Sequence, residues 1–276
     1  MGDCTYCGKA AGFLRHKHKE CEEAHLAGRN QIATAIDEAF SSEAVPESLP
    51  QLVSHSAEPT FIHQPEQREL LVNGWTRALH RFMEHGLPDE SQEARLIGFM
   101  KLFSITKDEL NAPDAFPRLV KATALRDLTQ GKVPHRFTLT GNLPLNLQKD
   151  ETLVWAFANT RYFEEKTHRE YVGGSAGVSV RVMKGLYLHT SAFHGNPIDV
   201  TTRQQVDSGL FAVTNKNIYF AGAHKSMRIP FAKIVSFQSY TDGIGLVRDA
   251  ATARQQAFLT GDGWFTYNLI THLAKL

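Results

Sequence analysis

The chain lacks the features that would place it at a membrane or on a polyanion. Its 276 residues contain no apolar run approaching the roughly 20 residues that a membrane-spanning helix needs. Neither sign of charge dominates, because the chain has 30 lysines and arginines and 29 aspartates and glutamates. The composition therefore predicts no general attraction for nucleic acid or anionic lipid. The charged N-terminus is unlike a signal peptide. We therefore expect a soluble, cytoplasmic protein.

Cysteine is also scarce, and its position is more informative than its number. The three cysteines, Cys4, Cys7 and Cys21, all lie within the first 21 residues, among several histidines. An odd number of cysteines crowded into a short segment favours a metal site over a disulfide framework. A structural zinc ion takes four nitrogen or sulfur ligands in a tetrahedron. We therefore expect a zinc finger in residues 1–30.

The spacing of these residues indicates how the tetrahedron is filled. Cys4-x-x-Cys7 supplies the first pair of ligands. Residues three or four apart share one face of a helix, so the second pair contains Cys21 with either His18 or His25. His18 stands three residues before Cys21, and His25 stands four residues after it.

The preferred ligand set takes the first of these two histidines. It consists of Cys4, Cys7, His18 and Cys21, with His25 as the substitute for His18. His16 is the weakest choice, because it stands five residues from Cys21 and would face another side of a helix. A catalytic zinc needs an open coordination position and a walled pocket, for which so small a finger has no room. The expected zinc is therefore structural.

The rest of the N-terminal half predicts helices. Apolar residues recur at helical spacing through residues 26–40 and again from about residue 61 to residue 128. Asp89 is placed to cap one helix, and Thr106 with Glu109 has the spacing of a capping box at the start of another. We expect a small helical bundle in residues 61–132.

A linker is predicted between these helical stretches. Residues 41–59 are rich in Ser, Glu and Pro and contain no apolar run longer than three residues, which is typical of a loop. The predicted organisation is a helix and linker in residues 31–60, between the finger and the bundle.

From about residue 147 the pattern becomes that of β-strands. Val178, Val180 and Val182 alternate with other side chains, as in a half-buried strand, and Lys184-Gly185 fits a hairpin turn. Short segments of this kind, separated by Gly and Asn turns, predict an antiparallel barrel or sandwich of about seven strands in residues 147–276. A closing helix follows Asp262, its expected N-cap. The predicted fold class is α+β.

One part of this region carries a family resemblance. The segments GLFAVTNKNIYFAG, KSMRIPFAKIVSFQSYTDGIGLVRD and QAFLTGDGWFTYNLITHLA are similar to bacterial pleckstrin-homology-like (PH-like), GRAM-related domains. The matching positions are Leu210, Val213, Thr214, Asn215, Ile218, Phe220, Ile229, Ile234 and Phe237. The resemblance covers roughly residues 150–276. The finger, the helical middle and this domain together resemble bacterial proteins of the same arrangement.

The resemblance implies a barrel of two packed antiparallel sheets, with the last helix plugging one end. Trp264, Phe265 and Leu269 would form the buried face of that helix. Eukaryotic pleckstrin-homology domains bind phosphoinositides through basic residues, and the candidates for such an anion pocket here are Arg181, Lys184, Lys225 and Arg228. The local charge is only slightly basic and bacterial cells mostly lack this lipid. We therefore do not expect a phosphoinositide site.

The sequence contains no motif that predicts catalysis. No P-loop is present, and every cysteine is assigned to zinc, so a nucleophilic hydrolase has no obvious candidate residue. We expect a non-enzymatic adaptor that binds protein partners through its finger and its PH-like barrel. Exposed edge strands of the barrel would also permit self-association by strand pairing.

Two other functions remain open. In the first, the finger binds nucleic acid, and the cations that would contact phosphates are Lys9, Arg15, Lys17 and Lys19. Glu20, Glu22 and Glu23 offset part of that charge. In the second, the protein is an enzyme whose site forms where the bundle and the barrel meet. That function requires a deep pocket, lined by Trp75 or Trp155, on which titratable groups converge.

Overall fold

The computed structural model describes residues 2–12, 15–112, 114–135, 144–183, 186–250 and 254–276, and within residues 166–201 it describes the backbone alone. The chain divides into two compact units, Met1–Lys132 and Val133–Leu276.

The first unit is helical. Its helices are α1 (Lys19–Ser41), α2 (Leu49–Ala57), α3 (Gln64–Met83), α4 (Glu90–Leu102), α5 (Lys107–Asn111) and α6 (Ala115–Thr129), with a 3₁₀ turn at Glu58–Thr60. Among the described residues, no helix is both long enough and apolar enough to cross a membrane.

The core of this unit lies between α1, α3 and α4. Phe40, Trp75 and Phe99 are fully buried there, and the rings of Phe40 and Phe99 are 4.8 Å apart. The indole N–H of Trp75 donates a hydrogen bond to the carbonyl of Leu96 at 2.9 Å, so its one polar atom has a partner. Each buried aromatic of this size stabilises the fold by about 2–3 kcal/mol. Trp75, which one hypothesis placed at a pocket, is a core residue.

The helix starts that the sequence predicted are confirmed. The side chain of Asp89 accepts from the backbone N–H of Gln92 at 2.7 Å, and the side chain of Gln92 caps Asp89 in return. Thr106 and Glu109 form the same reciprocal capping box at α5. These side chains satisfy backbone N–H groups that have no partner within the helix.

The predicted linker over residues 41–59 was wrong in its second half. Residues 49–57 form α2, and Val53 and Ala57 from this helix are buried in the core. Pro50 stands in the first turn of α2, where proline costs no hydrogen bond. The Ser, Glu and Pro content of the segment therefore concealed a short helix that is held by packing.

The second unit is built on one antiparallel sheet of seven strands, curled into a half-barrel. Its strands are β1 (Leu153–Met183), β2 (Leu186–Thr214), β3 (Asn217–Gly222), β4 (Ser226–Pro230), β5 (Ile234–Tyr240), β6 (Gly243–Arg248) and β7 (Gln256–Leu259). The order across the sheet is β4-β3-β2-β1-β7-β6-β5. The described strands therefore form a single sheet, and the two packed sheets implied by the resemblance are corrected to this arrangement.

Strands β1 and β2 extend far beyond the rest of the sheet. Strand β1 pairs with β7 only over residues 161–164, and β2 pairs with β3 only over residues 209–213. From Lys166 opposite Thr202 to Met183 opposite Leu186, the two strands pair with each other. We call this two-stranded segment the ribbon. Lys184 and Gly185, predicted as its turn, lie outside the described residues.

Helix α7 (Gly263–Leu273) packs against β5 and β6. The side chain of Asp262 accepts from the backbone N–H of Phe265 at 3.0 Å, which confirms the predicted N-cap. Phe265 and Leu269 are fully buried as expected, but Trp264 is 61% exposed. The predicted buried face is therefore wrong for Trp264, because this residue is about 100° around the helix from Phe265 and its side chain is exposed to solvent.

Candidate metal centre

The first two cysteines lie on a tight loop at the start of the chain. The backbone N–H of Cys4 donates to the carbonyl of Lys9 at 2.7 Å, and the N–H of Gly8 donates to the carbonyl of Cys4 at 2.9 Å. Gly8 has a φ of 68°, which is a conformation that glycine adopts without steric cost. The chain therefore reverses directly after Cys7, so that both cysteines are held on one short loop.

The second pair of candidate ligands lies at the start of α1. His18 is the residue before the first turn of the helix, and Cys21 is in that turn. The three-residue spacing brings both side chains to one side of the helix start. A hydrogen bond of 2.9 Å from the backbone N–H of Thr5 to the carbonyl of His16 ties the cysteine loop to the segment that leads into α1.

The structure brings these four side chains into one cluster. The sulfurs of Cys4, Cys7 and Cys21 and a ring nitrogen of His18 all lie within 4.8 Å of one another. The Nδ1 atom of His18 is 3.3 Å from the sulfur of Cys7 and 3.7 Å from that of Cys21. Tetrahedral zinc with its usual bond lengths to sulfur and nitrogen would separate such ligand atoms by about 3.6 Å. The cluster therefore has the composition and the size of a site that could hold a metal ion.

The ring of His18 is oriented for coordination through Nδ1. Its other nitrogen, Nε2, lies 3.1 Å from the carbonyl oxygen of Ala10. A carbonyl only accepts hydrogen bonds, so Nε2 carries the proton and the lone pair of Nδ1 faces the sulfurs. Metal-bound histidines usually donate their second N–H in this way, which fixes both tautomer and ring orientation.

The sulfur of Cys4 is surrounded by backbone donors. Burial raises the pKa of Cys4, but hydrogen bonds from the backbone N–H groups of Cys7, His18 and Tyr6 lower it by more than burial raises it. The resulting pKa is about 6. The N–H of His18 approaches this sulfur to 3.4 Å. These donors favour the thiolate, which is the form of cysteine that binds metals.

The surroundings of Cys21 change the pKa of its thiol in the opposite direction. Burial, together with the adjacent sulfurs of Cys7 and Cys4, raises the pKa of Cys21 to about 11. Three neighbouring thiols cannot all ionise without a compensating positive charge. A divalent cation at the centre of the cluster would supply that charge.

His25, the alternative ligand, lies outside the cluster. Its Nδ1 is 3.1 Å from the carbonyl oxygen of Thr60, and its Nε2 is 3.0 Å from a carboxylate oxygen of Glu66. The ring of Tyr6 packs on His25 at a centroid distance of 4.6 Å. Both nitrogens of His25 are thus engaged by the helical unit, and its ring supports the cysteine loop by contact.

No family model and no curated protein sequence matches this chain.

Of the four basic residues considered for an anion pocket, Lys225 and Arg228 have side chains in the described part of the chain. The ammonium group of Lys225 is 2.8 Å from a carboxylate oxygen of Glu164, which neutralises it. Arg228 is an exposed residue of β4, opposite Tyr219 on β3. The side chain of Arg181 and the whole of Lys184 lie outside the described residues.

A group of hydrogen-bonded side chains around Glu151 in the second unit was not predicted from the sequence. A carboxylate oxygen of Glu151 accepts from the hydroxyl of Tyr219 at 2.7 Å, and the other accepts from the side-chain amide of Asn217 at 2.7 Å and from the hydroxyl of Thr214. Burial raises the pKa of Glu151, but these donors and the backbone N–H of Gln148 lower it below its usual value. The carboxylate joins the chain before β1 to the β2–β3 turn and has a structural role.

Proposed function

We propose that this protein is a non-enzymatic interaction protein with a structural zinc ion at Cys4, Cys7, His18 and Cys21. The observation that carries the proposal is the set of four ligand atoms from the chain itself, which lie within 4.8 Å of one another and are enough to fill a tetrahedron. A catalytic zinc keeps one position for water or substrate. Thiolate and imidazole ligands in a tetrahedron suit zinc among the common divalent metals.

The zinc ion would join two parts of the chain that also contact each other through hydrogen bonds, from the N–H of Thr5 to the carbonyl of His16 and from the N–H of His18 to the sulfur of Cys4. Cys4 and Cys7 belong to the loop, and His18 and Cys21 belong to the start of α1. With the ion bound, the loop is fixed to the helix and Tyr6 stays packed on His25. The role of the metal is therefore folding of the finger, and the free energy of binding is part of the folding free energy.

Metal analysis of the purified full chain tests this role, with two histidine variants as a matched pair. We expect one zinc per chain in the wild type and in His25→Ala, and a loss of most of the zinc in His18→Ala and Cys4→Ser. The result follows because only His18 lies among the sulfurs. Equal zinc contents in the two histidine variants would contradict the assignment, and so would a metal-free wild type purified under reducing conditions.

In the proposed function, the PH-like half-barrel binds protein through strand pairing. Two edges of the sheet discourage such pairing: β4 is short and ends at Pro230, and β5 has a bulge between Ile234 and Ser236. The ribbon supports the proposal better. Between residues 166 and 202 its outer backbone edges have no third strand among the described residues, and an isolated two-stranded ribbon is only marginally stable. A second copy of the chain, pairing ribbon to ribbon, would supply the missing strands.

Shortening the ribbon tests this partner. Arg169 and Asp199 are opposite each other in the register, so replacing residues 170–198 with Asn-Gly should close a two-residue hairpin turn. We expect light scattering to show a concentration-dependent mass above 30.8 kDa for the wild type and a monomer for the shortened chain, with the zinc content unchanged. A wild type that stays monomeric at all concentrations would contradict self-association, and a shortened chain that still associates would contradict the ribbon as its interface.

A further inference from the structure

A concave surface opens beside the metal centre. This cavity has a volume of about 530 Å³ and includes Cys7, His18 and Cys21 in its wall. Four cations line the same cavity: Lys9, Arg15, Lys17 and Lys19. Lys9 comes from the cysteine loop, Arg15 and Lys17 come from the segment that leads into α1, and Lys19 is the first residue of α1. Folding around the metal centre is therefore what brings these charges to a single surface, which we call the basic cavity.

The balance of charge in the basic cavity is positive. Among the described residues of its lining, Glu20 is the one carboxylate, and three thiolates around a divalent ion would add one further negative charge. Lys17 has Glu22 at 3.1 Å and Lys19 has Glu23 at 3.6 Å, but all four side chains are well exposed, and exposed pairs of this kind contribute little and exchange readily. In the part of the chain that the structure describes, no carboxylate lies within 4.0 Å of Lys9 or Arg15.

An aromatic side chain lines the cavity together with these cations. Phe61 follows the 3₁₀ turn at Glu58–Thr60 and is half-buried. The residue after it is anchored, because the backbone N–H of Ile62 donates to the carbonyl of Ala57 at 3.2 Å. An aromatic ring beside lysine and arginine side chains is the combination that binds single-stranded nucleic acid, in which phosphates meet cations and a base stacks on the ring.

We infer that the basic cavity binds one nucleotide unit of single-stranded RNA or DNA. Lys9 and Arg15 hold its phosphate, Lys17 and Lys19 contact the neighbouring phosphate, and Phe61 stacks against the base. An acidic peptide would use the same cations but offers no planar group for Phe61, so the nucleotide accounts for more of the lining. This inference goes beyond the proposed function, which assigns no ligand to the finger.

Fluorescence anisotropy of the zinc-loaded full chain with a labelled 12-nucleotide oligo(U) or oligo(dT) tests the inference. Binding should weaken with added salt, with a log–log slope of about −0.7 for each phosphate that is neutralised on a single strand. The double variant Lys9→Gln, Arg15→Gln should bind at least about tenfold more weakly and reduce the magnitude of the slope by about 0.7, the value for the one phosphate that these two cations hold. The matched variant Lys101→Gln, Lys149→Gln removes two exposed lysines outside the cavity and should bind like the wild type. Zinc content is measured for each protein.

A second variant separates base recognition from charge. Phe61→Leu keeps an apolar side chain but removes the ring, so we expect a several-fold loss of affinity with an unchanged salt slope. A free mononucleotide should displace the oligonucleotide at lower concentration than inorganic phosphate does.

Three results would overturn the inference. They are an oligonucleotide affinity that is absent or independent of salt, a double variant that binds like its matched control, and a labelled polyglutamate peptide that binds as tightly as the oligonucleotide and is unaffected by Phe61→Leu. None of these results alters the zinc content or the solution mass, so a failure here is distinguishable from a failure of the proposed function.

Discussion

Gly74 lies at the contact between α3 and α1, at the centre of the helical unit. A methyl group at this position would lie 2.6 Å from the Cγ2 atom of Ile36, which is itself fully buried. The close contact of the two helices therefore requires a residue without a side chain at position 74. Gly98 in α4 is the natural comparison, because a methyl group there would meet no atom within 4 Å.

We therefore predict opposite effects for the same substitution at the two glycines. Gly74→Ala should lower the free energy of unfolding by about 1–3 kcal/mol, because overpacking forces the helices apart. Gly98→Ala should raise it by about 0.5–1 kcal/mol, because alanine favours the helix. Urea unfolding of both variants checks this. An increase in the free energy of unfolding at both positions would show that helix propensity, and not the contact with Ile36, governs Gly74.

The choice between His18 and His25 shows what spacing alone leaves open. Both histidines share a helical face with Cys21, so the sequence allowed either one. His25 is removed from the cluster by Thr60 and Glu66, which are distant in sequence and become its neighbours only in the folded unit. The three cysteines needed no such information, because their ligand chemistry follows from residue type and local spacing.

At the scale of elements, features that depend on local side-chain chemistry were predictable. Asp89, Thr106 and Asp262 cap helices because their oxygens reach backbone N–H groups only a few residues away. Helix α2 was missed because packing against distant residues stabilises it. The extent of β1 and β2 was also missed, since strand pairing depends on two segments at once and glycines within a strand resemble turns in a single sequence.

The last helix allows a test of which side chains hold it to the sheet. The ring of Phe265 is 4.7 Å from that of Trp155 and is fully buried, whereas the neighbouring Trp264 is largely exposed. Phe265→Ala should cost about 3–5 kcal/mol of unfolding free energy, and Trp264→Ala should change it by no more than about 0.5 kcal/mol. Chemical denaturation followed by circular dichroism measures both. Equal losses of unfolding free energy in the two variants would show that Trp264 contributes to the buried face as much as Phe265 does.

At the scale of the whole molecule, the α+β class and the order of helices before strands were predictable from hydrophobic periodicity. The curvature of the single sheet was not, because the position of β1 beside both β2 and β7 is a non-local arrangement. Glu151 illustrates the same limit, since its partners Thr214, Asn217 and Tyr219 are more than 60 residues away in the chain. In the metal cluster, as in the helix caps, local pattern and folded geometry coincide.

Cobalt substitution is the most direct test of that cluster, because the absorption spectrum of Co²⁺ reports both coordination geometry and thiolate ligation. We predict that one Co²⁺ per full-length chain gives the intense visible bands of a tetrahedral site with sulfur–cobalt charge transfer, and that Zn²⁺ displaces it. The His25→Ala variant should give the same spectrum and His18→Ala should not. A weak octahedral spectrum in the wild type, or no bound cobalt, would contradict the closed site on which the proposed function rests.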